Sequence, residues 1–403
     1  MLKLRGKVEV LNDTRAQPLI VPLTNRISTP KPLQGNLALL LKTPQELQAA
    51  ANSAQDMGFA AYLVLESAEV GVDDSADLPA ALRGLSNLYR LARDFDYLQA
   101  QDVVRLNPAN SSVSALFRKN ASSNSILLTE RCNHLCLMCS QPPKDVQDGW
   151  LLEEARTLLP LIPKDTPNLG FTGGEPTLYG QAFIDLIDLA KRELPDTAID
   201  VLSNGRSFKD VAFAKALGAV GHPNLQIGIP IYSDDPATHD YIVQSAGAFG
   251  ETIQGILNLK RAGVRVEIRF VIHKQSLPRM VQTCEFIARN LLFVDHVALM
   301  GLEITGFTRA NLPLLWVDPY EYKDQLSEAI SVLRSYGMHC SVYNHQLCLV
   351  NEDVLPVYRK SISDWKNESI EACAKCTRRS ECGGFFSTQV QYKRSAHITP
   401  FLA

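Results

Sequence analysis

Three cysteines, Cys132, Cys136 and Cys139, follow a short apolar run from Ile126 to Leu128 at C-x3-C-x2-C spacing. The run reads as a buried strand and the cysteines as the loop that leaves it. Three thiolates this close hold one face of an iron–sulfur cube, and no fourth cysteine is near enough in sequence to complete a four-thiolate cage. One iron is then left without a protein ligand. A structural metal site is closed, whereas a catalytic one keeps an open coordination position. The open iron suits a small ligand that offers an amino and a carboxylate group.

A second motif lies about thirty residues further on, in Leu169-Gly-Phe171-Thr-Gly173-Gly174-Glu175-Pro176. It too follows a short strand and precedes a helix, expected from Gln181 to Arg192. Glycine lets a backbone approach a ligand closely, and Pro176 fixes the turn. Such a loop offers carbonyls and a carboxylate to a ligand ammonium. Alone it is a weak turn signal; one βα unit after the cysteine loop it becomes specific. The pair resembles the radical SAM superfamily. The resemblance implies that Cys132, Cys136 and Cys139 bind a [4Fe-4S] cluster. It also implies that Gly173, Gly174, Glu175 and Pro176 hold the amino group of S-adenosylmethionine (SAM). The position before the last cysteine, usually aromatic in the superfamily, is Met138. A valine in place of Gly174 is expected to weaken SAM binding and to leave the cluster in place.

At 403 residues the chain has room for two or three domains. Hydrophobic residues at 46% and charged residues at 21% are those of an ordinary globular protein. A net charge of −3 gives no electrostatic argument for nucleic acid or a membrane. No basic stretch followed by an apolar one opens the sequence, and no apolar run approaches about 18 residues. The expectation is a cytoplasmic protein with neither membrane nor nucleic acid as partner. Nine cysteines are an odd number, and most are grouped, which reads as metal binding rather than disulfides. Cys284, in an apolar helix from Val281 to Asn290, reads as a plain buried residue.

Residues 1–120 read as an α/β accessory domain. Asn36 to Leu41 and Ala60 to Leu65 are expected strands. Thr43-Pro-Gln-Glu46 is a capping box with proline at the first helical position. Leu78 to Arg93 reads as an amphipathic helix, and Asp102 to Leu106 with Val113 to Phe117 as a hairpin. From 121 to 336, strands at Ser125–Thr129, Leu169–Thr172, Ala198–Ser203, Leu225–Ile231, Val264–Ile272 and Val294–Leu302 alternate with helices. Six βα units argue a parallel sheet. Six are too few to close an eight-stranded barrel, so an open three-quarter (β/α)6 radical SAM barrel is expected, with its site at the C-terminal ends of the strands.

Other strand ends fit the same resemblance. It implies that Asn204 and Ser233, and less strongly Ser203, bind the ribose and carboxylate of SAM. It pairs Arg269 with the carboxylate, which a guanidinium fork suits. The alternative is that Asn204 caps a turn and Arg269 pairs with a structural acid. His239 and Asp240 begin a helix and read as structural.

Residues 337–403 form a small Cys-rich region with Cys348, Cys373, Cys376 and Cys382. Four thiolates close a site completely. Spacing alone does not separate zinc from iron–sulfur; the resemblance implies an auxiliary [4Fe-4S] cluster. Cys340 reads as a core residue. Thr129 to Asn133, Leu137 to Pro143, Ala298 to Glu303 with Gly306-Phe307, and Ser361 to Lys366 resemble the His-Xaa-Ser system radical SAM maturase, type C. That implies reductive SAM cleavage to modify a ribosomally made peptide or protein, with a flavodoxin or ferredoxin as electron donor and a companion radical SAM protein. A radical SAM enzyme acting on a small molecule or RNA remains open, although RNA calls for a basic patch. So does a zinc scaffold without catalysis.

Overall fold

A computed structural model of the chain describes residues 2–13, 15–66, 78–360 and 367–402. It divides into two units, Met1–Asn124 with Arg156–Thr166, and Ser125–Ala155 with Pro167–Ala403.

The first unit holds β1 (Arg5–Asn12), β2 (Leu19–Thr24), β3 (Ala38–Leu41), β4 (Ala61–Leu65), β5 (Leu88–Leu91), β6 (Val103–Asn107) and β7 (Ser112–Phe117). They close into a barrel in the order β1-β5-β4-β3-β2-β6-β7. Alternation along the strands divides two cores. Ala38, Leu40, Ala61, Leu63, Tyr89 and Leu91 fill one. Leu39, Leu41, Tyr62, Val64 and Leu88 join a second with Leu47 and Ala50 of the helix Pro44–Ser53. That helix has the expected capping box, Thr43 with Glu46, and β6 and β7 form the expected antiparallel hairpin. The helix expected from Leu78 to Arg93 is not formed. Only Ala80–Arg83 is helical, and β5 follows. Asn87, at φ 60°, interrupts any helical run. The apolar residues after it alternate between the two cores with period two, not 3.6.

The second unit is an open sheet of seven strands in the order β14-β13-β12-β11-β10-β9-β8. They are β8 (Ser125–Leu127), β9 (Asn168–Thr172), β10 (Ala198–Leu202), β11 (Leu225–Pro230), β12 (Arg265–Ile272), β13 (His296–Gly301) and β14 (Cys340–Tyr343). Every neighbouring pair is parallel. Helices Gln181–Glu193, Val211–Val220, Ala248–Arg261, Met280–Asn290 and Lys323–Ser335 follow β9 to β13 in turn. The sheet has one strand more than the six expected. β14 is four residues long and its first residue is a cysteine, so it carries little pattern of its own. Cys340 and Cys284 are both buried, as expected.

On β12, Val266, Ile268, Phe270 and Ile272 are buried, while Glu267, Arg269 and Val271 are partly open. A polar inner face therefore backs onto an apolar face under the helices. Because the strands are parallel, the loops after them leave from one edge. Two short strands, β15 (Asn367–Glu368) and β16 (Phe385–Phe386), pair antiparallel near the C-terminus. The Ser361 to Lys366 string lies outside the described residues. Among the described residues no helix is long and apolar enough to cross a membrane.

Candidate active site

The cysteine loop leaves β8 and is anchored at both ends. At the start, the buried Asp148 carboxylate gathers donors. Its Oδ2 accepts from Thr129 Oγ1 at 2.8 Å and from the Glu130 N–H at 2.6 Å. Its Oδ1 accepts from Arg131 Nε at 3.0 Å and the Tyr179 hydroxyl at 3.1 Å. Burial works to raise this acid, yet the donors around it and the Arg131 charge hold it below its ordinary value. At the far end, three carbonyls are taken by one segment after β13. Asn311 Nδ2 donates to Leu137 O at 2.8 Å, Thr308 Oγ1 to Met138 O at 3.0 Å, and the Phe307 N–H to Cys139 O at 2.8 Å. Gly306, at φ 52°, makes the approach possible. A Cβ there would stand 2.4 Å from Cys139 O and 2.6 Å from Ser140 O.

The Gly-Gly-Glu loop is laced to the cysteine loop by backbone. The Gly174 N–H donates to Thr129 O at 2.7 Å and the Glu175 N–H to Arg131 O at 2.8 Å. A Cβ on Gly173 would lie 2.7 Å from Thr129 O, and one on Gly174 2.0 Å from Arg131 O and 3.0 Å from Cys132 Cβ. The neighbour that requires these glycines is thus the chain's own cysteine loop. A larger residue at Gly174 would press on the cysteine loop itself.

Glu175 is fully buried. Its carboxylate accepts from the Thr177 N–H at 3.0 Å, Thr177 Oγ1 at 2.5 Å, Ser203 Oγ at 2.8 Å and the Asn204 N–H at 2.6 Å. Burial pushes this carboxyl up against those donors. Four donors match the lone-pair capacity of a carboxylate, so the acceptors the loop has left are its carbonyls. Pro176 opens the 3-10 turn Pro176–Tyr179.

Asn204 follows β10 and is buried. Its Nδ2 donates to Asn133 Oδ1 at 2.6 Å, and its Oδ1 accepts from the Arg206 N–H at 3.0 Å. It therefore ties the third strand's end to the cysteine loop and also caps a turn. Ser233 is buried, its Oγ accepting from the Asp235 N–H at 3.1 Å. Arg269, on the inner face of β12, places Nη2 3.2 Å from Met300 Sδ and Nη1 3.7 Å from Glu267 Oε1. Met138 packs with Tyr232, Leu302 and Cys136. His239 is buried and its Nδ1 accepts from the Tyr232 N–H at 3.2 Å, a structural place.

The three thiols of the loop are partly buried. Burial pushes the Cys132 thiol up to about 11, with Glu175 and Cys139 close by acting in the same direction. Burial, then the neighbouring Cys139 and Cys132, raises Cys136 as well. Buried thiols that oppose one another's ionisation stay protonated unless positive charge meets them. Among the described residues no three His, Cys, Asp or Glu side chains are grouped to hold one metal ion. A cube differs from a single ion because it spreads its thiolates over separate irons.

The C-terminal thiols are brought to one place. Cys348, Cys373, Cys376 and Cys382 line a cavity of about 190 Å³, together with Lys360, Arg379 and Phe401. Cys382 Sγ accepts the N–H groups of Leu347 and Gly384, each at 3.3 Å. Burial raises the Cys348 thiol. The Thr377 N–H reaches Phe401 O at 2.9 Å, so the last described turn of chain lies along this cavity. All nine cysteines are free.

Sequence reading missed Asp148, Tyr179, Thr308 and Asn311. Asp148 stood in an unpatterned loop. Gly306 was the available signal for the clamp, since glycine marks positions of positive φ.

Residues 126–287 match the radical SAM superfamily. Pre-heme d1 synthase of Dinoroseobacter shibae is 29% identical over 180 residues, 43% of each chain. PqqA peptide cyclase of Granulibacter bethesdensis is 26% identical over 183 residues, 43% of this chain and 46% of the relative. SuiB of Streptococcus suis, solved with S-adenosylmethionine bound, aligns at 15% identity and a TM-score of 0.44. That alignment covers 55% of this chain and 50% of SuiB. The chain thus spans about half the length of the relatives it matches or less.

Proposed function

We propose that this chain, whose residues 126–287 match the radical SAM superfamily, is a radical SAM enzyme that modifies a ribosomally made peptide or protein. The His-Xaa-Ser type of maturase is the specific reading. Cys132, Cys136 and Cys139 would hold the [4Fe-4S] cluster, and the carbonyls of the Gly173 to Glu175 loop would face the SAM ammonium. When bound, the cluster supplies the electron that cleaves SAM. The protein's part is to fix the ligand loop, orient SAM beside it and exclude water.

The observation that carries this reading is the lacing of the two motif loops at 2.7 and 2.8 Å. It ties the start of the cysteine loop to the loop whose carbonyls would face SAM. Asn204 would orient the SAM ribose from the third strand's end, Ser233 would contact the ribose or carboxylate, and Arg269 would meet the SAM carboxylate. The cavity lined by the four C-terminal thiols supports an auxiliary [4Fe-4S] cluster as the reading for that region, with no open iron. A flavodoxin or ferredoxin as reductant and a companion radical SAM protein belong to the same proposal.

A second reading has a specific observation behind it. Pre-heme d1 synthase, 29% identical over 180 residues, is named for a heme-type small molecule, so a small-molecule substrate is the competitor. Anaerobic reconstitution with iron and sulfide, followed by SAM and a reductant, tests the core of the proposal. The expected result is 5′-deoxyadenosine from wild type and none from Cys132→Ala, Cys136→Ala or Cys139→Ala. Wild-type rates in any of these variants would sink it, and zinc without iron in the reconstituted chain would leave a scaffold.

A further inference from the structure

The inner face of the sheet carries a hydrogen-bonded chain that the cluster and SAM readings do not use. His296 on β13 stands level with Glu267 on β12. Its Nδ1 is 2.8 Å from Glu267 Oε2, and its Nε2 is 3.0 Å from Ser341 Oγ on β14. Tyr343 lies two residues further along β14. These residues occupy the alternate positions that face away from the helices. Glu267 and His296 are partly open on that face and Ser341 is 5% exposed.

Side-chain chemistry fixes the direction of the chain. A carboxylate accepts only, so His296 Nδ1 carries a proton and Nε2 is left as an acceptor for the Ser341 hydroxyl. Burial works to raise the Glu267 acid, but the His296 bond and the Arg269 charge hold it low, which keeps it ionised. Other buried histidines are placed differently. Among the described residues, His134, His239 and His273 leave Nε2 without a partner. Their surroundings make them unprotonated fillers, driven by burial to about 4, 4 and 3. The charged groups around the relay are Arg269 beside Glu267, and Asp200 with Arg265, which act on one another across the same face. Arg359 and Arg269 act on Tyr343.

We propose that Glu267, His296 and Ser341 form a proton-accepting relay on the inner wall of the barrel, serving a substrate that presents an O–H or N–H group there. The substrate's X–H proton passes to Ser341 Oγ while Ser341's own proton passes to His296 Nε2. The electron pair of the broken X–H bond stays on X. The imidazolium formed is balanced by the Glu267 carboxylate, in the way a buried acid stabilises a catalytic imidazolium. Nothing else is consumed. The inference rests on the reading that the substrate enters the open barrel, and its test is independent of SAM cleavage.

The full chain carrying its metal, labelled with nitrogen-15 at histidine, reads His296 directly by NMR, with His296→Gln to identify its signals. The expected neutral form in wild type has its proton on Nδ1, a preference that Glu267→Gln should weaken. A proton on Nε2 in wild type, or the same tautomer preference in both chains, overturns the relay. para-Nitrophenol then serves as an O–H probe, its ionised fraction read by visible absorbance against the chain alone. Wild type should raise that fraction about twofold or more at fixed pH, by base action of the kind described. Ser341→Ala and His296→Gln should each remove the rise. No rise with wild type, or a rise kept in both variants, overturns the proposal. Where His296→Gln does not fold, Ser341→Ala alone decides, because it removes one oxygen from the strand. Failure of SAM cleavage with both readouts positive would strike the proposed function and leave the relay standing.

Discussion

The carbonyl of Arg131 accepts the N–H of Glu175 at 2.8 Å, and a Cβ on the intervening Gly174 would stand 2.0 Å from that same oxygen. The bond and the missing side chain are one device. It holds two loops at a distance only glycine permits, and the first prediction follows from it.

Gly174→Ala should cost the chain its iron as well as its SAM affinity. The added carbon collides with backbone, which cannot swing aside as a side chain would. The cysteine loop must therefore move, at a cost of about 2 kcal/mol or more. Iron and sulfide per chain after anaerobic reconstitution should fall well below wild type. Full iron content with weakened SAM binding would instead place the strain on the ligand side.

Asn311→Ala and Thr308→Val each free one carbonyl of the cysteine loop. Each should destabilise the chain by about 1 kcal/mol, the usual worth of such a bond. The double variant should take up iron yet broaden the electron paramagnetic resonance signal of the reduced cluster, because its ligands sample more than one arrangement. An unchanged line shape in the double variant would show that the clamp does not set the ligand geometry.

The pH dependence of stability should carry the mark of Asp148. Its donors hold it below the pKa it has in the unfolded chain, so its contribution is full above about pH 4 and is lost as pH falls through the folded value. Asp148→Asn should cost about 2 kcal/mol near pH 7. The gap between variant and wild type should narrow between about pH 5 and about pH 3. Urea unfolding at the two ends measures it. A gap that is constant, or widens on acidification, contradicts the assignment.

Cys373→Ser with Cys376→Ser should remove only the C-terminal metal. If the cavity lined by four thiols holds a second cube, wild type carries about eight irons and the double variant about four. SAM should still bind, since Cys132, Cys136 and Cys139 are untouched. Four irons and one zinc in wild type would identify the C-terminal site as a zinc clasp.

The sequence made legible what depends on local pattern. The strand before Cys132, the capping box at Thr43 and the helix after Gly180 are each written in a few adjacent residues. Closure of the N-terminal barrel was not legible, because it is made by Arg5 to Lys7 pairing with Ser112 to Ser114, far apart in the chain. β5 was misread as helix because four apolar-rich residues fit either period once Asn87 is overlooked. β14 was missed for its shortness. At the site, the residue types that bear chemistry announced themselves. Their holders did not, since an ordinary aspartate or asparagine shows its role only when the fold brings it to a carbonyl. Glu175 is the instructive case. Its place in the motif suggested a ligand contact, and its four donors make it the internal brace of the loop.

The clamp on the cysteine loop also bears on the order in which the protein comes into being. Thr308 reaches back to Met138 across 170 residues and Asn311 to Leu137 across 174. A ribosome releases the three thiols long before it has made the groups that set their backbone. Until β13 has been added and the turn at Gly306 has formed, those carbonyls have only water for partners. The shape of the cysteine loop is among the last things this half of the chain acquires, although the loop itself is among the first parts of it to be made.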